Sequence, residues 1–132
     1  GSLHILLSLG GRHGVPEYDA RAVLDNHVAG LFRSMRLGFS DAHGAANLIE
    51  FNWAAEKGVF GWNSSGWLNA SEAALPVATA SLLQKLCEIE AGASAAEAAA
   101  FVKRYTTVSP ELEKTIGRLK SIPTDIRAKY SI

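Results

Sequence analysis

The sequence contains few of the residues on which many binding and catalytic classes depend. Cys87 is its one cysteine, so an internal disulfide and a cysteine-based zinc cluster are both excluded. A single thiol fits a reducing compartment, and we expect a cytoplasmic protein. Thirteen basic and thirteen acidic residues cancel, and a neutral chain lacks the charge that attracts nucleic acid or an anionic membrane. We therefore expect neither of these as a partner.

Long apolar runs are also missing. The first residues, "GSLHILLSLGG", contain an apolar run of about seven residues with no basic stretch before it. Such a run is too short to span a membrane and is a poor signal peptide. Gly1 and Ser2 are expected to be a cloning remnant.

Short catalytic motifs are absent from the sequence as well. It contains no HExxH, CxxC, GxSxG or glycine-rich phosphate loop. The four histidines, His4, His13, His27 and His43, are not spaced as metal ligands on one helix. We therefore assign no catalytic residue and no metal ligand, and we expect no cofactor bound by this chain.

The composition and periodicity predict one all-α domain over residues 1–132. Hydrophobic residues make up 48% of the 132 residues and charged residues 20%, which is a globular balance. Three- and four-residue apolar spacing, N-cap residues and prolines predict a bundle of about five helices. The predicted helices cover 17–37, 41–57, 75–90, 94–105 and a last one that starts at Ser109.

Two finer predictions concern the hairpin and the third helix. Aromatic runs around "NSSG" predict a small β-hairpin near residues 59–69, with Trp62 and Trp67 paired across its strands. The helix 75–90 is expected to bury a stripe of apolar residues with Cys87 as a small buried neighbour. That stripe consists of Leu82, Leu83, Leu86 and Ile89.

A polar stripe on the second helix is the candidate site. At about 100° per residue, one face of this helix contains His43, Asn47, Glu50, Ala54 and Lys57. The stripe is either a solvated surface or one side of a ligand cleft. In a cleft, His43 would donate to a substrate carbonyl or oxyanion, and Asn47 would orient a peptide.

Gly44, in the first turn of this helix, destabilises it by about 1 kcal/mol relative to alanine. Two explanations account for a glycine at this position. Either a ligand approaches the helix closely here, or another part of the backbone packs against it. The sequence leaves both explanations open.

The segment 29–60, "AGLFRSMRLGFSDAHGAANLIEFNWAAEKGVF", resembles the C-terminal region of zinc metallopeptidases of the dipeptidyl peptidase III type, particularly bacterial ones. That family has a similar "FRS-R-G" helix end followed by an "AHG-AN--QFN-L-EKGA" helix. The similarity continues through "LPVATASLLQKLCEIEAG", "AAAFVKRYTTVSPELEKTIGRL" and the tail "IPTDIRAKY". It extends over roughly residues 20–130.

The resemblance implies a substrate-cleft role for His43, with Asn47 at a position that is often asparagine in bacterial members. It also implies zinc in the full-length family, held by an HExxGH-like helix and a second glutamate-bearing helix. Neither of these is present here, so we expect no peptidase activity from this chain alone. The predicted substrate-binding residues are thus His43, Asn47 and Glu50.

Two functions fit these observations best, and a third, an enzyme with a site around His43, lacks the positioned partners that such a site usually has. The chain is either a catalytically incomplete C-terminal module of such a hydrolase, or a stand-alone, self-associating domain that binds a peptide or small ligand. In both cases we expect a partner to bury the apolar surface that faced the missing catalytic part. We expect that catalytic part or a homodimer as the partner, with a dimer formed through "LHILLSL" and the helix 17–37.

Overall fold

The computed structural model describes residues 2–14 and 16–123, and it confirms a predominantly helical fold with one small hairpin. The helices are α1 (Ser2–Leu9), α2 (Ala20–Met35), α3 (Ala42–Glu56), α4 (Leu75–Gly92), α5 (Ala95–Tyr105) and α6 (Pro110–Arg118), and a 3-10 turn follows at Leu119–Ser121. Strands β1 (Phe60–Trp62) and β2 (Leu68–Ala70) pair antiparallel between α3 and α4. Gly1, Val15 and residues 124–132 lie outside the described residues, and with them most of the tail "IPTDIRAKY".

Side-chain caps begin the helices where the sequence places them. Asp41 accepts a hydrogen bond from the Gly44 amide at 2.8 Å and starts α3. Ser94 and Glu97 form the expected capping box of α5. Ser109 accepts from the Leu112 amide at 3.2 Å, with a proline in the first turn of α6. Each cap gives a partner to an amide that the helix itself leaves unpaired.

Helix α1 is the element that the periodicity did not predict. Its apolar residues Leu3 and Leu7 pack towards the core, and the helix lies against α4. The Tyr18 hydroxyl donates to the Leu7 carbonyl at 3.1 Å, which ties the end of α1 to the start of α2. One side of the segment expected to mediate dimerisation is therefore covered within the chain.

The core lies between α2, α3 and the hairpin. Its buried side chains come from all three and from the first turns of α4 and α6. They are Leu24, Leu31, Phe32, Met35, Leu48, Phe51, Ala54, Val59, Phe60, Leu75, Ala78 and Leu112.

The expected tryptophan pair does not form in the hairpin. The strand register places Trp62 opposite Leu68 and leaves Trp67 before the start of β2. Trp62 turns towards Phe51, with their ring centroids 6.5 Å apart. Trp67 is 63% exposed, and the Arg118 guanidinium lies over its ring, with the guanidinium carbon 4.9 Å from the Trp67 ring centroid. The loop between the strands sets this register, and the register cannot be predicted from the spacing of the aromatic residues.

The predicted burial of α4 is also wrong in its second half. Leu75 and Ala78 are buried, whereas Leu86 is 43% exposed and Cys87 is an exposed free thiol. The apolar spacing correctly marks one face of the helix. Burial additionally requires a neighbouring element, and beyond Ala78 that face is only partly covered. In the described residues, no helix is long and apolar enough to cross a bilayer.

Candidate functional site at the start of α3

The start of α3 is held rigidly against the end of α2. Gly44 is buried, and a β-carbon added to it would lie 2.1 Å from the Gly38 carbonyl oxygen and 3.1 Å from the Phe39 α-carbon. Gly38 itself has a φ of 117°, a conformation that favours glycine. Close approach of another backbone therefore accounts for Gly44, and no ligand is needed to explain it.

The stripe residues face different surroundings. His43 is exposed in the first turn of α3. The Asn47 amide donates to the Ser34 hydroxyl at 2.9 Å and to the His43 carbonyl at 2.7 Å. Through these two bonds it links α3 to α2 and fixes the backbone that bears the His43 side chain.

Glu50 also lies at the α2–α3 interface. Its carboxylate lies 3.2 Å from the His27 Nε2 atom, and the two side chains are 33% and 19% exposed. Ala54, further along the same face, is part of the core. The face is thus neither a wholly solvated surface nor an open cleft: its middle packs on α2, and its first turn reaches solvent.

At this first turn, the exposed His43 imidazole lies near the positive end of the helix. An imidazole there can donate a hydrogen bond to a substrate carbonyl, and the helix dipole favours negative charge at the same place. The binding roles predicted for His43, Asn47 and Glu50 stay predictions.

A second polar cluster, at the end of α3, was not predicted from the sequence. One oxygen of Glu56 accepts from the Tyr105 hydroxyl at 2.9 Å and from Arg104 at 2.8 Å. The Asn52 amide donates to the carbonyls of Tyr105 and Thr107 at 2.8 and 2.9 Å. These bonds join residues about fifty positions apart, so no local pattern could have revealed them. They fasten the end of α5 to α3.

The bonds of this cluster shift two pKa values. The Tyr105 hydroxyl, followed by Arg104, lowers the pKa of Glu56 below its ordinary value of 4.5 despite an opposing desolvation. Burial and the nearby Glu56 carboxylate raise the pKa of Tyr105 above 10.0. Glu56 therefore contributes to stability above pH 4.5, and the contribution is lost as the pH falls through its folded pKa. The contribution of Tyr105 is present below pH 10 and is lost as the pH rises further.

We predict that Tyr105→Phe destabilises the protein most near pH 7. The loss should be below about 1 kcal/mol, because the Glu56 carboxylate is substantially exposed to water. It should shrink below pH 4.5, where Glu56 becomes protonated in the unfolded state. Urea unfolding of both proteins at pH 3 and pH 7 measures this difference. Tyr18→Phe removes a hydroxyl bonded to a carbonyl, and its effect should be equal at the two pH values; a constant Tyr105→Phe effect would contradict the prediction.

Zinc, which the resemblance implies for the full-length family, does not fit the residues described. Across residues 2–14 and 16–123, no three side chains from histidine, cysteine, aspartate and glutamate are grouped so that they could hold a metal ion. His27 and Glu50, which lie in contact near the candidate site, supply two such groups. These two groups are too few to hold a zinc ion by themselves.

The fold and the α3 geometry define a helical module with a small hairpin, similar to part of dipeptidyl peptidase III. The structure of dipeptidyl peptidase III from Caldithrix abyssi matches with a TM-score of 0.73 and 27% identity, over 79% of this chain and 20% of that chain. The enzyme from Corallococcus sp. strain EGB matches with a TM-score of 0.69 and 27% identity, over 76% of this chain and 19% of that chain.

A plant protein also matches in sequence. Nudix hydrolase 3 of Arabidopsis thaliana is 27% identical over 107 residues, which are 80% of this chain and 14% of that protein. No family model matches the chain. The chain therefore spans between a seventh and a fifth of the length of these relatives.

Proposed function

We propose that this chain is the C-terminal helical module of a dipeptidyl peptidase III-like hydrolase and forms one wall of its peptide-binding cleft. The observation on which this rests is the match to the Caldithrix abyssi enzyme, with a TM-score of 0.73 over 79% of the chain. In this proposal, the zinc and its ligands come from another part of the assembly, and the chain alone is inactive. The free, exposed thiol of Cys87 supports the proposed cytoplasmic location.

His43 is the substrate-binding residue that the geometry favours. Its imidazole is exposed, while the Asp41 cap and the packing of Gly44 hold the turn that bears it. A rigid turn is what a cleft residue needs, because a hydrogen bond to a reacting carbonyl accelerates the reaction only when its donor is already in place. Asn47 supports that turn, and Glu50 lies one turn further along, at the α2 contact.

A chimera tests the proposal. This chain would replace the matching fifth of the Caldithrix abyssi enzyme, and hydrolysis of a chromogenic dipeptide substrate would be measured with zinc present. We expect an active chimera, and we expect His43→Ala to lower kcat/KM at least tenfold, as for loss of a positioned hydrogen-bond donor. Asn26→Ala, on the exposed side of α2, is the matched control and should leave kcat/KM unchanged.

Two results would contradict the proposal. One is a folded, zinc-loaded chimera in which His43→Ala and Asn26→Ala have the same activity. The other is hydrolysis by the isolated chain that disappears on treatment with a chelator.

The partner is the second part of the proposal. On α1, Ile5 is 57% exposed and Leu6 is 36% exposed. Exposed apolar side chains favour burial against another surface, which here is either the catalytic part or a second copy of the chain. Association with a second copy corresponds to the alternative function, a stand-alone binding domain. Sedimentation equilibrium of the isolated chain separates the two: a dimer that Ile5→Lys dissociates supports self-association, and a monomer at high concentration leaves the catalytic part as the partner.

A further inference from the structure

A half-enclosed cavity lies between α1, α3 and α4, separate from the exposed His43. Its volume is about 230 Å³. The wall is mostly apolar, and it includes the second half of α4, which the core does not cover. The residues that line it are Leu3, His4, Ala46, Ile49, Glu50, Thr79, Leu82, Leu83 and Leu86. We refer to it as the α1–α3–α4 cavity.

Three polar side chains interrupt this apolar wall. The His4 Nδ1 atom is buried and has no hydrogen-bond partner within the described part of the chain. A buried polar atom without a partner destabilises a fold, so its presence calls for an explanation. Because His4 lines the cavity, one explanation is a ligand in the cavity that supplies the missing hydrogen-bond partner.

The other two polar groups determine the chemistry of that ligand. Glu50 is the acidic residue of the wall, and its contact with His27 holds the carboxylate in place from the α2 side. The Thr79 hydroxyl donates to the carbonyls of Leu75 and Pro76 at 3.0 Å. Its proton is therefore occupied, and towards a ligand it acts as an acceptor.

The wall of the cavity thus presents hydrogen-bond acceptors and the carboxylate of Glu50. A matching ligand donates hydrogen bonds and carries a positive charge. His4 adds its unpartnered Nδ1 atom to this wall, and an imidazole nitrogen without a proton is a further acceptor. A carboxylate ligand would instead place a second negative charge beside Glu50 in a partly desolvated site, where like charges repel strongly.

The volume sets the size of the ligand. An apolar cavity of about 150 Å³ in another protein accommodates benzene. The 230 Å³ here is larger by roughly the volume of a chain of two or three heavy atoms. A single ring or a short alkyl chain that ends in an ammonium group matches both the volume and the polar groups.

We propose that the α1–α3–α4 cavity binds a small primary ammonium compound, with its apolar body among Leu82, Leu83 and Ile49 and its ammonium group at Glu50 and His4. This site goes beyond the peptide-cleft function, because it needs neither His43 nor a catalytic partner. It also explains why the apolar stripe of α4 continues past the core without being covered.

Three probes that share one ring test the site: 2-phenylethylamine, 2-phenylethanol and 3-phenylpropanoate. Titrations of the isolated chain at pH 7.5 would be followed by NMR chemical shifts and calorimetry. We expect the amine to bind with a dissociation constant on the order of 10⁻⁴ to 10⁻³ M, as for a fragment of about nine heavy atoms. The alcohol should bind roughly tenfold more weakly, and the carboxylate should not bind measurably.

Glu50→Gln keeps the shape of the side chain and removes its charge. We expect it to weaken amine binding to the level of the alcohol and to leave alcohol binding unchanged. Glu90→Gln makes the same charge change at an exposed position of α4 outside the cavity, and it should alter neither. The proposal is overturned if the carboxylate binds as well as the amine, or if the two glutamine variants behave alike.

His4→Phe provides a second readout that does not depend on Glu50. Replacing the unpartnered nitrogen with an apolar ring should raise the Tm of the ligand-free chain while it weakens amine binding roughly tenfold. A purely structural His4 would give a variant that unfolds more easily. Unchanged amine binding in a folded His4→Phe variant would also overturn the proposal.

Discussion

Phe51→Ala is expected to lower the free energy of unfolding by about 3–5 kcal/mol, the largest single effect in this protein. The Phe51 side chain is 2% exposed at the centre of the core. Its ring lies 4.9 Å from that of Phe60 in a stacked arrangement and 5.6 Å from that of Phe32 in an edge-to-face one. The residue thus joins α3 to both α2 and the hairpin, and its loss leaves a cavity that three elements would have to close.

Urea denaturation measures the loss, and the choice of substitution separates its causes. Phe51→Leu keeps most of the apolar volume and should cost less than half as much as the alanine variant. Phe101→Ala removes the same ring from a half-buried site beside Trp53 and Tyr105, and it should cost less than Phe51→Ala. If Phe51→Ala costs less than about 1 kcal/mol, the core is not centred on this residue.

Gly44→Ala is the second large effect, and its sign is opposite to that expected from helix propensity. In the exposed interior of a helix, alanine is more stabilising than glycine by about 1 kcal/mol. Here the new β-carbon would meet the Gly38 carbonyl oxygen at 2.1 Å, so the end of α2 and the start of α3 must separate. We expect a net loss of about 2–3 kcal/mol, measured as a lower urea midpoint and a Tm lower by roughly 10 °C.

The matched control for this prediction is Gly30→Ala. Gly30 lies inside α2, and no atom lies within 4 Å of the position that its β-carbon would take. The same chemical change there should be neutral or stabilise by up to about 1 kcal/mol. Equal effects at the two glycines would show that the two helices do not approach as closely as the structure places them.

Much of the fold could be predicted because its signals are local. The caps at Asp41, Ser94 and Ser109 act within three residues, and apolar spacing repeats every three or four. Helices α2 to α6 therefore begin and end near the predicted residues. Helix α1 was not predicted, because eight residues are too few for a periodic pattern to be distinguished from a plain apolar run.

The candidate site was only half accessible to the same reasoning. The periodicity of α3 correctly placed His43, Asn47 and Glu50 on one face, and the binding role of the exposed His43 stays a prediction. It did not show that α2 occupies the middle of that face through Ser34 and His27. The α1–α3–α4 cavity and the Glu56 cluster were missed for the same reason, because their members come from distant parts of the chain.

The sequence by itself determined the helical class, the approximate ends of helices α2 to α6 and the resemblance to dipeptidyl peptidase III, since each of these depends on residues a few positions apart. Only the tertiary structure decided what each helix face contacts. The close approach of Gly38 to Gly44, the contact of His27 with Glu50 and the half-covered stripe of α4 all depend on how helices pack. Periodicity identifies a face, but burial and hydrogen bonding require a second element to be there.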